Sequence, residues 1–393
     1  MRVEDIILNS EGISKAISMA RREEFLKRHK YSIYNGSDGK WYTYLPDNTK
    51  KYKRRLVKRK SREELEDAVV AFYENLIRQV TLQDVFDEWN NRRVDLRKVK
   101  ESTASRYRQD FDRYFKDIKG KAISDVTPES VSDFLEVQVS KLNLSAKSFG
   151  NLKALSRGIL KRAKKRKLIE FDVEPIFQDL DVSDREFKKR IIDDSKEIFY
   201  DDEYEEMMDY CRDHRSDLSC LGIALMCVSG LRVGEVVCLK KCDILNCEVF
   251  VHRTETQFSK DGINHFEVSD YPKTPAGVRR VIIPDKYEWI LDDLIRIGGD
   301  DWVFTGIHGK RMHTSQIRKR LYSVCKKLDI PVRSPHKCRK TYGTILLDNH
   351  VDSKIIEKQM GHTDILTTEL HYHRDRKRTQ QKRAIINSIA EFS

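Results

Sequence analysis

The chain has 393 residues, 35% of them charged, and carries 75 lysines and arginines against 63 acids for a formal charge of +12. That length suits two or three domains, and the cationic excess points to a polyanionic partner rather than a small neutral substrate. No apolar run approaches membrane-spanning length, the first ten residues lack the basic-then-apolar order of a signal peptide, and all eight cysteines lie from Cys211 onward with no CxxC pair. A reduced, cytoplasmic protein without a disulfide framework is expected.

Residues 4–26 carry a broken helical pattern (Ile6, Ile13, Ile17, Ala20) to which no role is assigned. The period then changes to alternation. Residues 31–34 and 40–45 read as strands joined through Asn35-Gly36-Ser37-Asp38-Gly39, an Asn-Gly turn that accepts positive φ. A third strand is expected over 51–58, and Ser61 with Glu64 reads as a capping box opening a helix to about residue 76. Between Lys50 and Arg62 there are nine basic residues and no acid. Lysines guarding an edge strand account for part of this. The density beside Trp41, Tyr42, Tyr44 and Tyr52 favours a three-stranded sheet laid on DNA, with Trp41, Lys51, Arg54 and Arg55 as contacts.

Four amphipathic helices follow, starting at Thr81, Thr103, Pro128 and Ser145, and could form a bundle. The last ends in a run, 161–167, with six cations in seven positions. Such a run can be a solvated helix end, favourable against the dipole. Its density favours a phosphate-facing patch carrying Lys161, Arg162, Lys164 and Lys165. Residues 176–198 show weak periodicity and suit a linker.

In the remaining stretch, 201–211 and 218–229 read as paired helices, the second apolar on all sides and therefore buried. Arg232 follows within Gly230-Leu231-Arg232-Val233-Gly234-Glu235. A salt bridge to Glu235 and a guanidinium held against phosphate are both open readings there. Strands are expected over 249–256 and 264–268, and alternation around Gly277 reads as a hairpin with Lys273 near its tip. His336 and Arg339, three apart, share one face of a helix. A short helix from Asp352 ends at Gly361 and so delivers His362, with Tyr372 ten residues on between His371 and His373. His362, His371 and His373 could together hold zinc, but no nearby cysteine completes the set, and no metal or cofactor is assigned.

Taken in order, Gly-Leu-Arg232-x-Gly-Glu235, Lys273-Thr-x-x-Gly-x-Arg, His336-x-x-Arg339, Gly361-His362 and Tyr372 resemble the active-site series of the tyrosine recombinases, the phage and transposon integrases. The spacing departs from the commonest pattern, in which the tyrosine lies nine residues after the histidine; here His371 stands in that place. The resemblance implies a mainly α protein with small β-sheets and three domains: an arm-type DNA-binding domain (1–78), a helical core-binding domain (81–175), and a catalytic domain (199–393) after the linker. It implies a site-specific recombinase forming a 3′-phosphotyrosine. Arg232 and Arg339 would neutralise the phosphate, with Glu235 orienting Arg232. His336 would accept the phenolic proton or orient the phosphate, His362 would donate a hydrogen bond, Lys273 would protonate the departing 5′ oxygen, and Tyr372 would attack. Its partners would be double-stranded attachment sites, a homotetramer on DNA, and accessory DNA-bending proteins. Two further readings stay open: a type IB topoisomerase-like enzyme and a non-catalytic DNA-binding regulator. The amphipathic stretch 384–392 is expected to pack on a neighbouring protomer.

Overall fold

Short polar side chains set the helix starts of the N-terminal half. This computed structural model describes residues 19–20, 22–47, 49–189, 193–260, 262–270, 275–306, 308–361 and 374–389. Ser61 Oγ accepts from the Glu64 amide at 3.1 Å and opens α1 (Arg62–Arg78). Glu64 reaches back to the amide of Lys60, one residue earlier than a standard capping box. Thr81 and Asp84 make the full reciprocal box and start α2 (Leu82–Asp95). After α3 (Glu101–Tyr114), Pro128 occupies the first turn of α4 (Pro128–Lys141), and Ser145 caps α5 (Ala146–Lys165).

The chain divides into two units, 1–189 and 190–393. In the first, α2 to α5 bury an apolar centre that includes Phe86, Phe111, Leu135, Leu152 and Ile159, with the rings of Phe86 and Phe111 stacked 4.1 Å apart. Phe25 and Ile77 belong to the same core, so α1 and the bundle share one interior across the boundary expected near residue 80. Ile176 and Phe177, within the expected linker, are also buried there, and the Lys188 amide donates to the Leu144 carbonyl at 2.9 Å. Their side chains are apolar in a stretch without helical period, so packing rather than pattern orders it. The sheet runs β1 (Tyr34–Asn35), β2 (Trp41–Pro46), β3 (Arg54–Arg59), antiparallel, with Tyr42 opposite Lys58 and Tyr44 opposite Leu56.

In the second unit, α6 (Asp201–Asp213) leads to α7 (Leu218–Ser229), every residue of which from Ser219 on is buried. A helix apolar on all sides belongs at the centre. Around it pack α6, α9 (Glu288–Ile297), α10 (Thr314–Lys327) and α11 (Pro335–Asp348). Strands β4 (Ile244–Leu245), β5 (Glu248–Val251) and β8 (Arg279–Ile282) form one sheet, and β6 (Thr254–Lys260) pairs with β7 (Ile263–Ser269). The hairpin expected around Gly277 is therefore corrected. β8 pairs with β5, Val249 opposite Val281, and Gly277 ends a short 3-10 turn before it. Val249, Val251, Val281 and Ile283 are all buried in the α7 core, and this non-local burial outweighs local alternation. All eight cysteines are free thiols, and among the described residues no helix is long and apolar enough to cross a membrane.

Candidate active site

The buried helix α7 stops at Gly230, whose φ of +65° lies in the left-handed region. A Cβ there would meet Tyr342 Cδ1 at 2.5 Å, so glycine is required for space as well as for backbone angle. Two residues on, Arg232 is the N-cap of the short helix α8 (Val233–Val236). Its backbone amide donates to Glu235 Oε2 at 2.9 Å and its Nη1 to Glu235 Oε1 at 2.8 Å. The Arg232 side chain remains 43% exposed whereas that of Glu235 is 1% exposed. The salt bridge and an accessible guanidinium thus coexist.

Glu235 is held from its other side by Arg279 at the start of β8, Nη1 to Oε1 at 3.2 Å and Nη2 to Oε2 at 3.0 Å. Burial would favour the neutral acid. Arg279 foremost, then Arg232 and Arg339, instead hold the carboxyl below its usual range and keep it ionised. Arg279 also donates from Nε to the Gln359 carbonyl at 2.9 Å and from Nη1 to the Gly277 carbonyl at 3.0 Å.

On α11, Arg339 is fully buried. Its Nη1 donates to the Gly230 carbonyl at 2.6 Å and its Nη2 to the Met360 carbonyl. Those carbonyls lie two residues before Arg232 and two before His362. Met360 ends α12 (Ser353–Met360), and Gly361 follows with φ of +63°. His336, one turn before Arg339, keeps solvent access, and neighbouring protein partly desolvates its imidazole. That desolvation, with the charges of Arg339, Lys337, Lys340 and Arg232, pushes the imidazole down to about 4, so it is neutral at physiological pH. Lys337 and Lys340 both pair with Glu197, the former at 2.7 Å. Burial works against that carboxylate, and the two ammonium groups nevertheless hold it at about 2. Tyr342 lies in the core, where burial pushes its phenol up to about 12, against ionisation.

Arg232, Glu235, His336 and Arg339 are thereby gathered from segments a hundred residues apart. Lys273, His362 and Tyr372, together with His371 and His373, lie outside the described residues.

The phage integrase family model matches residues 197–378, the stretch that holds this cluster. Residues 197–378 belong to the phage integrase family, the tyrosine recombinases. The chain is 36% identical over 74 residues to a tyrosine recombinase XerD of Chlamydia trachomatis, covering 19% of this chain and a quarter of that protein's length (25%). It is 23% identical over 308 residues to a tyrosine recombinase of Thermosipho africanus, covering 74% of this chain and 95% of that one. Among solved structures, the Tn1549 transposon integrase in complex with a circular intermediate DNA aligns over 79% of this chain and 99% of its own with a TM-score of 0.58 at 17% identity, a likeness of fold.

In this phage-integrase stretch, sequence reasoning left two groups unassigned. Arg279 stood in the Lys273-Thr-x-x-Gly-x-Arg stretch, yet only the fold reveals its fork on Glu235. Glu197, placed in a linker by pattern, is the partner of the lysines beside His336.

Of the residues expected to touch DNA in the first unit, Arg54 lies on the sheet face away from α1, over the Tyr44 ring at 4.3 Å. Arg55 and Trp41 have the opposite parity, Arg55 over Phe72 of α1 at 5.9 Å and Trp41 under Arg62 at 5.7 Å. Tyr42, Tyr44, Leu56 and Lys58 share the Arg54 face, which sequence alone could not sort without the register. Lys51 is exposed in the turn before β3. At the end of α5, Lys161 pairs with Glu174 at 2.5 Å, Arg162 and Arg166 with Glu88, Lys164 with Asp172 and Lys167 with Glu24. Among the described residues Lys165 has no ion pair.

Proposed function

We propose that this chain is a site-specific DNA recombinase, an integrase that cuts and rejoins duplex DNA to insert or excise a mobile element. One observation carries the reading: a half-exposed guanidinium, Arg232, is pinned by a buried carboxylate beside a neutral imidazole, His336. Phosphoryl transfer needs fixed positive charge at the non-bridging oxygens and a group able to take a proton.

In the proposed reaction Tyr372 Oη forms a bond to the scissile phosphorus while the bond to the 5′ oxygen breaks. The phenolic proton passes to His336, whose proton affinity rises as the phosphate docks, and Lys273 protonates the departing oxygen. Arg232 neutralises the phosphate and His362 donates to one of its oxygens; Arg339, expected to share the first task, is fully buried on the Gly230 and Met360 carbonyls and is instead assigned to holding that backbone. The 3′-phosphotyrosine conserves the bond energy, so rejoining with a second strand requires no nucleotide and no cofactor.

The outward sheet face with Arg54 and Tyr44 is proposed to hold an arm site, and the cations of α5 a core site, with accessory DNA-bending proteins bringing the two together in the cytoplasm. The Tn1549 integrase, solved with a circular intermediate DNA, supports the mobile-element reading. The last described helix, α13 (Thr379–Asn387), leaves Ile385, Ile386 and, beyond its end, Ile389 exposed by 49, 52 and 40%. An apolar stripe of this kind suits packing on a neighbouring protomer in a tetramer.

Covalent capture from a library of nicked duplexes, followed by sequencing, tests the function. The full chain is expected to yield tyrosyl adducts on one family of sites and Tyr372→Phe none. No adduct from the wild type makes the chain a DNA-binding regulator; adducts with plasmid relaxation but no strand exchange make it a relaxing enzyme. Deleting residues 384–393 is expected to abolish assembly on the captured site, and unchanged assembly and exchange remove the packing proposal.

A further inference from the structure

We infer that Arg279 is a positioning residue for phosphate activation: its guanidinium, acting through Glu235, sets the direction and reach of Arg232. The inference rests on the recombinase reading.

A lone i,i+3 pair between Arg232 and Glu235 would be a weak orienting device, because a carboxylate free on its other side can turn with the longer side chain. Here it cannot turn. Both Glu235 oxygens accept from the fork of Arg279, at 3.2 and 3.0 Å, while Arg232 takes them from the opposite side with its amide and Nη1. The buried carboxylate is thus clamped between two guanidinium groups, one 5% exposed and one 43% exposed. Only the second can reach a ligand; the first supplies geometry.

Arg279 is itself fixed by two carbonyls from different segments, Gly277 and Gln359. The Gln359 side chain accepts from the Ile282 amide at 3.2 Å, so the end of α12 is sewn to β8 at two points. Gly361 closes the arrangement: a Cβ on it would meet Arg279 Cδ at 3.0 Å and the Ala276 carbonyl at 2.8 Å. A single side chain therefore couples the placement of Arg232 to that of β8 and the end of α12.

The test uses the full chain and the nicked duplex recovered by covalent capture, made in two forms: with the natural scissile phosphate, and with a methylphosphonate in which one non-bridging oxygen is replaced by methyl. The methyl form carries no negative charge to neutralise, so it removes the task given to Arg232. On the phosphate duplex Arg279→Gln is expected to slow adduct formation about 10- to 100-fold, the scale of a small misplacement of a reacting group. On the methylphosphonate duplex the gap to wild type is expected to shrink to about threefold or less, as it should for Arg232→Ala. The double variant should be no slower than Arg232→Ala alone. Arg279→Lys keeps the charge but lacks the fork, and gives the same pattern if the glutamine variant does not fold. An undiminished rate on phosphate, an equal loss on both duplexes, or additive losses in the double variant would overturn the inference while leaving the recombinase reading standing. Absence of any wild-type adduct would overturn both.

Discussion

Two regions of this protein concentrate arginine and lysine, and they use them in opposite ways. At the end of α5 the cations other than Arg162, whose side chain is 17% exposed, sit at the surface, and the acids of the run, Glu24, Glu88, Asp172 and Glu174, have side chains 31 to 79% exposed. Exposed pairs contribute at most about 1 kcal/mol each and are screened by salt, so a phosphate can replace the acid at little cost. In the second unit Arg279 and Arg339 are buried, and their partners include a carboxylate and backbone carbonyls of Gly230, Gly277, Gln359 and Met360. Breaking a buried pair leaves a desolvated charge, so these arginines hold one geometry. Charge of one sign thus gives an exchangeable surface at the first place and a fixed frame at the second.

The sharpest way to break that comparison is Glu235→Ala. It strands Arg279 and is expected to cost the second unit about 3–5 kcal/mol, read as lost hydrogen-exchange protection in α8 and β8 of the full chain. If the loss stays below about 1 kcal/mol, the buried pair behaves like a surface one. A smaller effect, about 1–3 kcal/mol, is expected from Gly230→Ala, because the new methyl requires both a left-handed backbone and space held by the Tyr342 ring. Chemical denaturation measures it.

Acid probes the same frame. His336 titrates near 4 when folded against an ordinary 6.5, so the unfolded chain takes up the proton first. The contribution of the neutral imidazole to stability is complete above pH 6.5 and lost as pH falls toward 4. Stability of the full chain is expected to drop across that window by a component missing in His336→Asn, measured by urea denaturation at stepped pH. Glu197, lowered to about 2 from 4.5, adds a second loss between pH 4.5 and 2.

The smallest effect on stability is expected at the surface. Lys161→Ala and Lys164→Ala should each change stability by less than about 1 kcal/mol, while reducing the salt dependence of binding to the captured site by about one phosphate contact. A stability loss as large as that of Glu235→Ala would mean that the α5 cations are structural.

The helices of both units were legible because their starts are local chemistry. Ser61, Thr81, Pro128 and Ser145 each stand where the structure begins a helix, and the uniform apolarity of 218–229 announced the central one. The strand after Gly277 was misassigned because its partner, β5, lies about thirty residues back and alternation carries no record of which strand will be adjacent. Trp41, Arg54 and Arg55 were grouped by density, while parity against β3 and α1 separates them. The cations at 161–167 looked unopposed because their acids come from Glu24, Glu88, Asp172 and Glu174, on other segments.

From sequence alone came the order of the chemistry: which side chains exist, on which helix turns they stand, and that a glycine closes α12. Tertiary structure decided which charges meet. A residue type and its helical phase depend on neighbours within a turn or two. The pairing of Arg279 with Glu235, or of Glu197 with Lys337 and Lys340, depends on distant segments buried together, where desolvation makes only mutually satisfied charges tolerable.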